Sequence, residues 1–260
     1  RAIGQSVPPF YVVTTEAFRL ALDSAGLTGR IAARLDAAAA GPPDALRNAA
    51  GEIQAWIRDM PLPPGLAEAI DQGQRDVIPP GAAVAVRSSV ADEDAAGQSF
   101  AGLHDSFLCV RGPGPRAEAV RKVWASAYNE RALAYRRDQG IPWTTIACAV
   151  VVQAMVSARV SGVMFTVDPV GGGVHTVVVS ALWGVGEGLV SAGLDADTYR
   201  VDKDALSVAA EPALKEEQFL PDEPAGTSLR RVPVPESHRQ ARCLDDDAVR
   251  WRNDLSDRPE

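Results

Sequence analysis

The chain has 260 residues, of which 46% are apolar and 23% charged, and its formal net charge is −8. That length allows one large domain or two small ones with proper cores, and the composition is ordinary for a globular chain. The acidic balance excludes a general nucleic-acid binder, since a phosphate backbone wants an excess of Lys and Arg, but a local basic group can still hold a small anion.

In chain order, Pro8-Pro9 leads into a predicted strand at 10–13, and Thr14 or Thr15 can cap a helix carrying Phe18, Ala21, Leu22 and Ala25 at helical spacing, which Gly26 stops. Residues 30–77 read as helices broken by Gly-Pro-Pro at 41–43 and Pro-Pro-Gly at 63–65. Ile53, Trp56, Ile57 and Met60 form an apolar stripe that reads as core rather than as a cofactor box. Pro79-Pro80-Gly81 marks a break, after which strands are expected at 82–87 and 106–110.

One helix is predicted over 117–137, burying Val120, Val123, Trp124, Ala127, Tyr128 and Tyr135, and Gly140-Ile141-Pro142 ends it. Strands follow at 146–156, 161–167 and 176–182, with weaker candidates at 199–202 and 206–208. The polar, Pro-rich stretch 211–242 reads as an irregular loop or an extended edge, and 244–255 as the start of another helix. The organisation expected is a mainly helical part over 1–80, a strand-rich core over 81–210, and an irregular segment with the start of a helix over 211–260.

Cys109, Cys148 and Cys243 are far apart and form no CxxC pair, so neither a zinc site nor a disulfide framework is expected. The apolar run 146–152 is far too short to span a bilayer and no signal core opens the chain, so no membrane partner and a reducing cytoplasm are expected. The opening Arg1-Ala2-Ile3-Gly4 reads as a start in mid-domain.

Chemistry concentrates in "VAVRSSVADEDAAGQSFAGLHDSFLCVRG" at 84–112. A strand ends in Arg87, and a loop of Ser, Gly and carboxylates follows. A strand-fixed guanidinium can grip two phosphate oxygens, while hydroxyls and open N–H groups near Gly wrap the rest. By composition alone this is only suggestive, because many strands end in Arg and a polar turn. The order of residues closely resembles the signature of the phosphoenolpyruvate synthase and pyruvate phosphate dikinase N-terminal domain, which shows Arg-Ser-Ser-Ala-Thr-Ala-Glu-Asp and then Ser-Phe-Ala-Gly. Here Val90 replaces the usual Ala, and Asp92-Glu93-Asp94 surround the acidic pair. "VPPFYVVTTEAF" (7–18), "VWASAYNERALAYR" (123–136), "VVVQAMVSARVSGVMFTVDP" (150–169) and "WGVGEGLVSAGLDADTYRV" (183–201) continue the resemblance in order.

The resemblance implies an α+β fold with an ATP-grasp-like nucleotide-binding domain, helical toward the N-terminus, strand-rich toward the C-terminus, and truncated at both ends. It implies ATP between two lobes, with phosphoryl transfer to a histidine on a separate swivelling domain. Carried over, Arg87 grips phosphate, and Ser88, Ser89, Ser99 and Gly102 belong to the loop over the phosphates. Gln153, Ala154 and Met155 form a hinge reading the adenine edge, Glu187 serves the ribose or supports a neighbour, and Asp168 orders a loop near the phosphates. Read without the resemblance, Asp168 is a turn residue before Pro169, Met155 is core and Glu187 a helix cap.

None of His104, His175 and His238 stands in the family's Gly-Gly-x-x-x-His carrier pattern, so no phosphohistidine is expected in this chain. The family's Gly-Gly-Lys-Gly-like segment and its Asp-Ile-Glu-Trp-like strand are expected beyond the two ends. The Mg²⁺ ligands are therefore expected outside this chain, and this chain alone is expected to be inactive. Expected partners are ATP, the phosphohistidine domain and the acceptor-binding domain. The acceptor is pyruvate, or an antibiotic hydroxyl as in rifampicin phosphotransferases, toward which His104-Asp105 and the run from Asp195 to Tyr199 lean. A degenerate, non-catalytic nucleotide-binding module is the competing reading, and a generic α+β structural protein survives only if the motif order is coincidence.

Overall fold

Glycine and proline decide where the first helices stop. In the computed structural model, which describes residues 7–42, 44–89, 105–222 and 228–253, strand β1 (Phe10–Val13) is followed by α1 (Thr15–Ser24), α2 (Leu27–Ala39), α3 (Ala45–Asp59) and α4 (Leu66–Val77). Gly26 and Gly65 take left-handed conformations, φ 65° and 81°, in the two turns that need them. Strands β2 (Val84–Ser89) and β3 (Ser106–Val110), helices α5 (Pro113–Ser126) and α6 (Glu130–Asp138), and strand β4 (Ala149–Ala154) complete the first of two compact units, Arg1–Val156.

Its antiparallel sheet has the order β1-β4-β2-β3. The helices cover one face. Phe18 of α1 stacks on Trp124 of α5, 5.3 Å between ring centroids, over a core of Leu35, Ile53, Ile57, Val84, Val86, Val150 and Val152. The Ile53, Ile57 and Met60 stripe is core as expected, and the Arg30 guanidinium lies 3.7 Å from the Trp56 ring centroid.

The single helix expected over 117–137 is two helices. Asn129 is the reason: its Oδ1 accepts the Ala132 N–H (2.8 Å) to open α6, and its Nδ2 donates to the Ser126 carbonyl (2.8 Å) at the end of α5. One side chain thus satisfies backbone groups on both sides of the break, while the expected apolar stripe through Val120, Val123, Trp124, Ala127 and Tyr128 remains buried.

The second unit, Ser157–Glu260, is built on an antiparallel meander of β5 (Val160–Phe165), β6 (Thr176–Trp183), β7 (Asp197–Asp202) and β8 (Val208–Glu211). The one-turn helix α7 (Glu187–Val190) follows β6. The stretch expected to be irregular contains a hairpin of β9 (Glu217–Pro221) and β10 (Leu229–Pro233) and the short helix α8 (Glu236–Arg239), and α9 spans Asp246–Asn253. Period-two alternation is weak in β9, where every residue is half-buried, so the sequence pattern does not announce the strand. Val177, Val179, Ala181, Tyr199 and Val201 meet Val234, Cys243 and Val249 in this unit's own core. The fold is α+β. Among the described residues no helix is long and apolar enough to cross a membrane.

Candidate functional site

Alternation along β2 sorts its residues. Val84 and Val86 are fully buried against the helices, so Ala85, Arg87 and Ser89 turn to the opposite face, while Ser88 sits half-buried on the helix side beside Val150. Register extends that opposite face across the sheet. Arg87 pairs with Val151 and Ser106, Ala85 with Gln153, Phe10 with Gln153 and Val12 with Val151. Phe10 and Val12 are 47% and 44% exposed, so the helices of this unit leave this face open. Arg87 and Gln153 stand diagonally across β2 and β4, a relation of about 7–8 Å between backbone positions.

Arg87 is exposed, and no partner for its guanidinium is found among the described residues. The sheet therefore places Arg87, Ser89 and Gln153 on one face, with Arg87 between the other two, and leaves the Ser88 side chain on the other side. An exposed cation with hydroxyl and amide groups on the same face, which also carries Phe10, Val12 and Val151, suits a ligand with an anionic end and a flat apolar part. Phe10 and Val12 were not singled out as site residues in the sequence, although the strand alternation at 10–13 signals them.

At the end of β4, the N–H groups of Ala154 and Met155 donate to the carbonyls of Pro9 and Ala83, each at 2.9 Å. Those two donors are committed within the unit, so any ligand contact there falls to other groups. Met155 is half-buried, and the division between the two units falls between Val156 and Ser157. Ser99, Gly102 and His104 lie outside the described residues.

In the second unit, Asp168 closes a loop. Its Oδ1 accepts the N–H groups of Val170 (2.9 Å) and Gly171 (3.0 Å), and its Oδ2 accepts from Arg200 Nη1 (2.7 Å). The backbone donors of Gly171 and Val170, and then Arg200, hold this carboxyl below the usual aspartate range. Both its oxygens are engaged in ordering the turn. Glu187 is half-buried and opens α7, where a carboxylate is favoured at the helix N-terminus.

The turn that carries Glu187 is held from two sides. Ser161 Oγ donates to the Gly184 carbonyl at 2.7 Å, and the Val185 N–H donates to the Phe219 carbonyl at 2.9 Å. Gly184 has φ 80°, and a Cβ there would lie 2.4 Å from the Phe219 carbonyl oxygen, so only glycine permits this approach.

Sequence reading missed a buried polar cluster beneath β7. Asp197 and Lys215, each with a side chain only 1% exposed, form an ion pair. Asp197 Oδ1 also accepts the Ala213 N–H (2.9 Å), and its Oδ2 accepts the Cys243 N–H (2.7 Å) and the Tyr199 hydroxyl (3.0 Å). Burial pushes the Tyr199 hydroxyl and the Cys243 thiol both up to about 12. Nothing around Lys215 in the sequence marks it out, because its partner is eighteen residues away. Among the described residues no group of three or more His, Cys, Asp or Glu is placed to hold a metal ion.

A family model described as the pyruvate phosphate dikinase AMP/ATP-binding domain matches residues 1–258, and the chain belongs to that family. It is similar to a probable phosphoenolpyruvate synthase of Methanocaldococcus jannaschii, 36% identical over 257 residues, covering 95% of this chain and 21% of that protein. It is also similar to a rifampicin phosphotransferase of a Streptomyces species, 36% identical over 252 residues, and to the phosphoenolpyruvate synthase of Escherichia coli, 33% identical over 260 residues. Each covers 95% of this chain, with 28% and 33% of the relatives covered in return. The chain thus spans about a fifth to a third of the length of these relatives.

Proposed function

We propose that this chain is the ATP-binding part of a phosphoenolpyruvate synthase-like dikinase with an ATP-grasp-like nucleotide site. In this reading a phosphoryl group leaves ATP and forms a P–N bond with a carrier histidine on another domain, which passes it on to pyruvate. The observation that carries the reading is the exposed Arg87 guanidinium on the open face of the first sheet, with Ser89 and Gln153 on the same face, in a chain of the AMP/ATP-binding family.

Arg87 holds phosphate oxygens and stabilises the charge that develops as the phosphoryl group moves. Ser89 contributes a hydroxyl from the same face. Ser88 contributes through its backbone, since its side chain is on the helix side, and Ser99 and Gly102 belong to the loop over the phosphates. Gln153 and Met155 cover the base, assisted by Phe10 and Val12. Glu187 holds the ribose, and Asp168 keeps its loop ordered through the contacts described above. Mg²⁺ would neutralise phosphate charge when bound.

An antibiotic kinase is the second reading, favoured by the similarity to the rifampicin phosphotransferase; the acceptor is selected elsewhere in the whole protein. Labelled ATP supplied to the intact protein tests the proposal. Label is expected on a histidine of the protein and then on pyruvate, whereas label on rifampicin decides for the second reading. Failure of the protein to take up label from Mg-ATP at all sinks both.

A further inference from the structure

The β9–β10 hairpin is a separate two-stranded sheet, yet it lies directly against the turn that carries Glu187. Phe219 makes an isolated parallel bridge with Gly184, and its carbonyl accepts the Val185 N–H. Its ring also backs α7: a Cβ at Gly188 would sit 3.5 Å from Phe219 Cδ2. Four residues before Phe219, the chain dives inward at Lys215 to reach Asp197 at the start of β7. The Lys215 ammonium also donates to the Ala213 carbonyl at 2.8 Å, and its backbone N–H to the Arg239 carbonyl at 2.8 Å.

Burying two opposite charges costs several kcal/mol per ion in desolvation, and an apolar pair of the same shape is often at least as stable. A pair this enclosed is better explained by what it positions. We infer that Lys215 is a positioning residue: its ion pair with Asp197 anchors the segment 213–221 so that Phe219 holds the Gly184–Glu187 turn in place. The link to nucleotide rests on the reading of Glu187 given above, whereas the clamp itself does not.

In the chain as it stands, native-state hydrogen exchange tests the clamp. The amides of Ala213 and Cys243, bonded to Asp197, and that of Val185, bonded to Phe219, are expected to open together, with one free energy and one denaturant dependence. Separate openings overturn the inference, and no variant is needed to see them. Lys215→Met is expected to speed exchange at Val185, Leu189 and Val190 by about tenfold or more while leaving Val178 and Val179 in β6 unchanged. Gly184→Ala, which leaves the ion pair untouched but displaces Phe219, is expected to give the same local pattern. Uniform acceleration across the unit in Lys215→Met indicates a merely structural pair and overturns the inference.

In the intact protein, Lys215→Met is expected to weaken ATP binding by about tenfold, as does Glu187→Ala. ATP affinity lost in Glu187→Ala but retained in Lys215→Met overturns the positioning role. Affinity unchanged in Glu187→Ala refutes the ribose reading alone, and joint opening of the three amides then still supports the clamp.

Discussion

Two neighbouring residues of β2 should fail in opposite ways when truncated. Val86 is fully buried against the helices, and Val86→Ala removes two methyl-sized groups from that core. At about 0.8 kcal/mol each, transfer alone is worth about 1.6 kcal/mol, and the cavity left behind brings the loss to about 2–3 kcal/mol. Arg87 is exposed on the other face with no partner among the described residues, so Arg87→Met should change stability by less than about 0.5 kcal/mol. Its effect should fall on chemistry. Losing one preorganised charge stabiliser costs about 2–4 kcal/mol of transition-state stabilisation, a fall of about 30- to 900-fold in rate. Urea unfolding followed by tryptophan fluorescence measures the first quantity, and transfer of label from ATP to the carrier histidine of the intact protein measures the second. A wild-type transfer rate in Arg87→Met refutes the phosphate role. Destabilisation of Arg87→Met as large as that of Val86→Ala refutes the assignment of faces.

Two further expectations concern titration and reactivity. Because its folded pKa is depressed, Asp168 contributes stability above its ordinary aspartate value that is lost as pH falls through the folded one. The difference in urea midpoint between the native chain and Asp168→Asn should therefore be present at pH 6 and shrink below about pH 4, and a difference independent of pH rules out the charge as its source. All three cysteines are buried thiols outside any disulfide, and the Cys243 thiol is pushed up to about 12. A colorimetric thiol reagent at pH 8 should find none in the native chain and three after unfolding; rapid labelling of any one before unfolding contradicts the packing described here.

The breaks at Gly26, Pro63-Pro64-Gly65 and Gly140 were legible because glycine and proline act on the backbone where they stand. The buried stripes of α3 and α5 were legible because helical periodicity records which side faces the core. The capping role of Asn129 had a local signal, Asn-Glu followed by an apolar run, that the continuing apolar stripe obscured. Strand alternation alone would also have separated Ser88 from Arg87 and Ser89.

The roles proposed for Arg87 and for the turn at Gly186-Glu187 are read from the order of residues in the sequence, since such motifs are short and their chemistry is carried by adjacent positions. Tertiary structure alone decided that Gln153, Phe10 and Arg87 share one sheet face, because they come from three strands far apart in the chain. It alone also joined Asp197 to Lys215 and, across forty-six residues, to Cys243. Backbone preference reaches only a few residues along a chain, so contacts across such distances exist only once packing brings the segments together and excludes water from the charges.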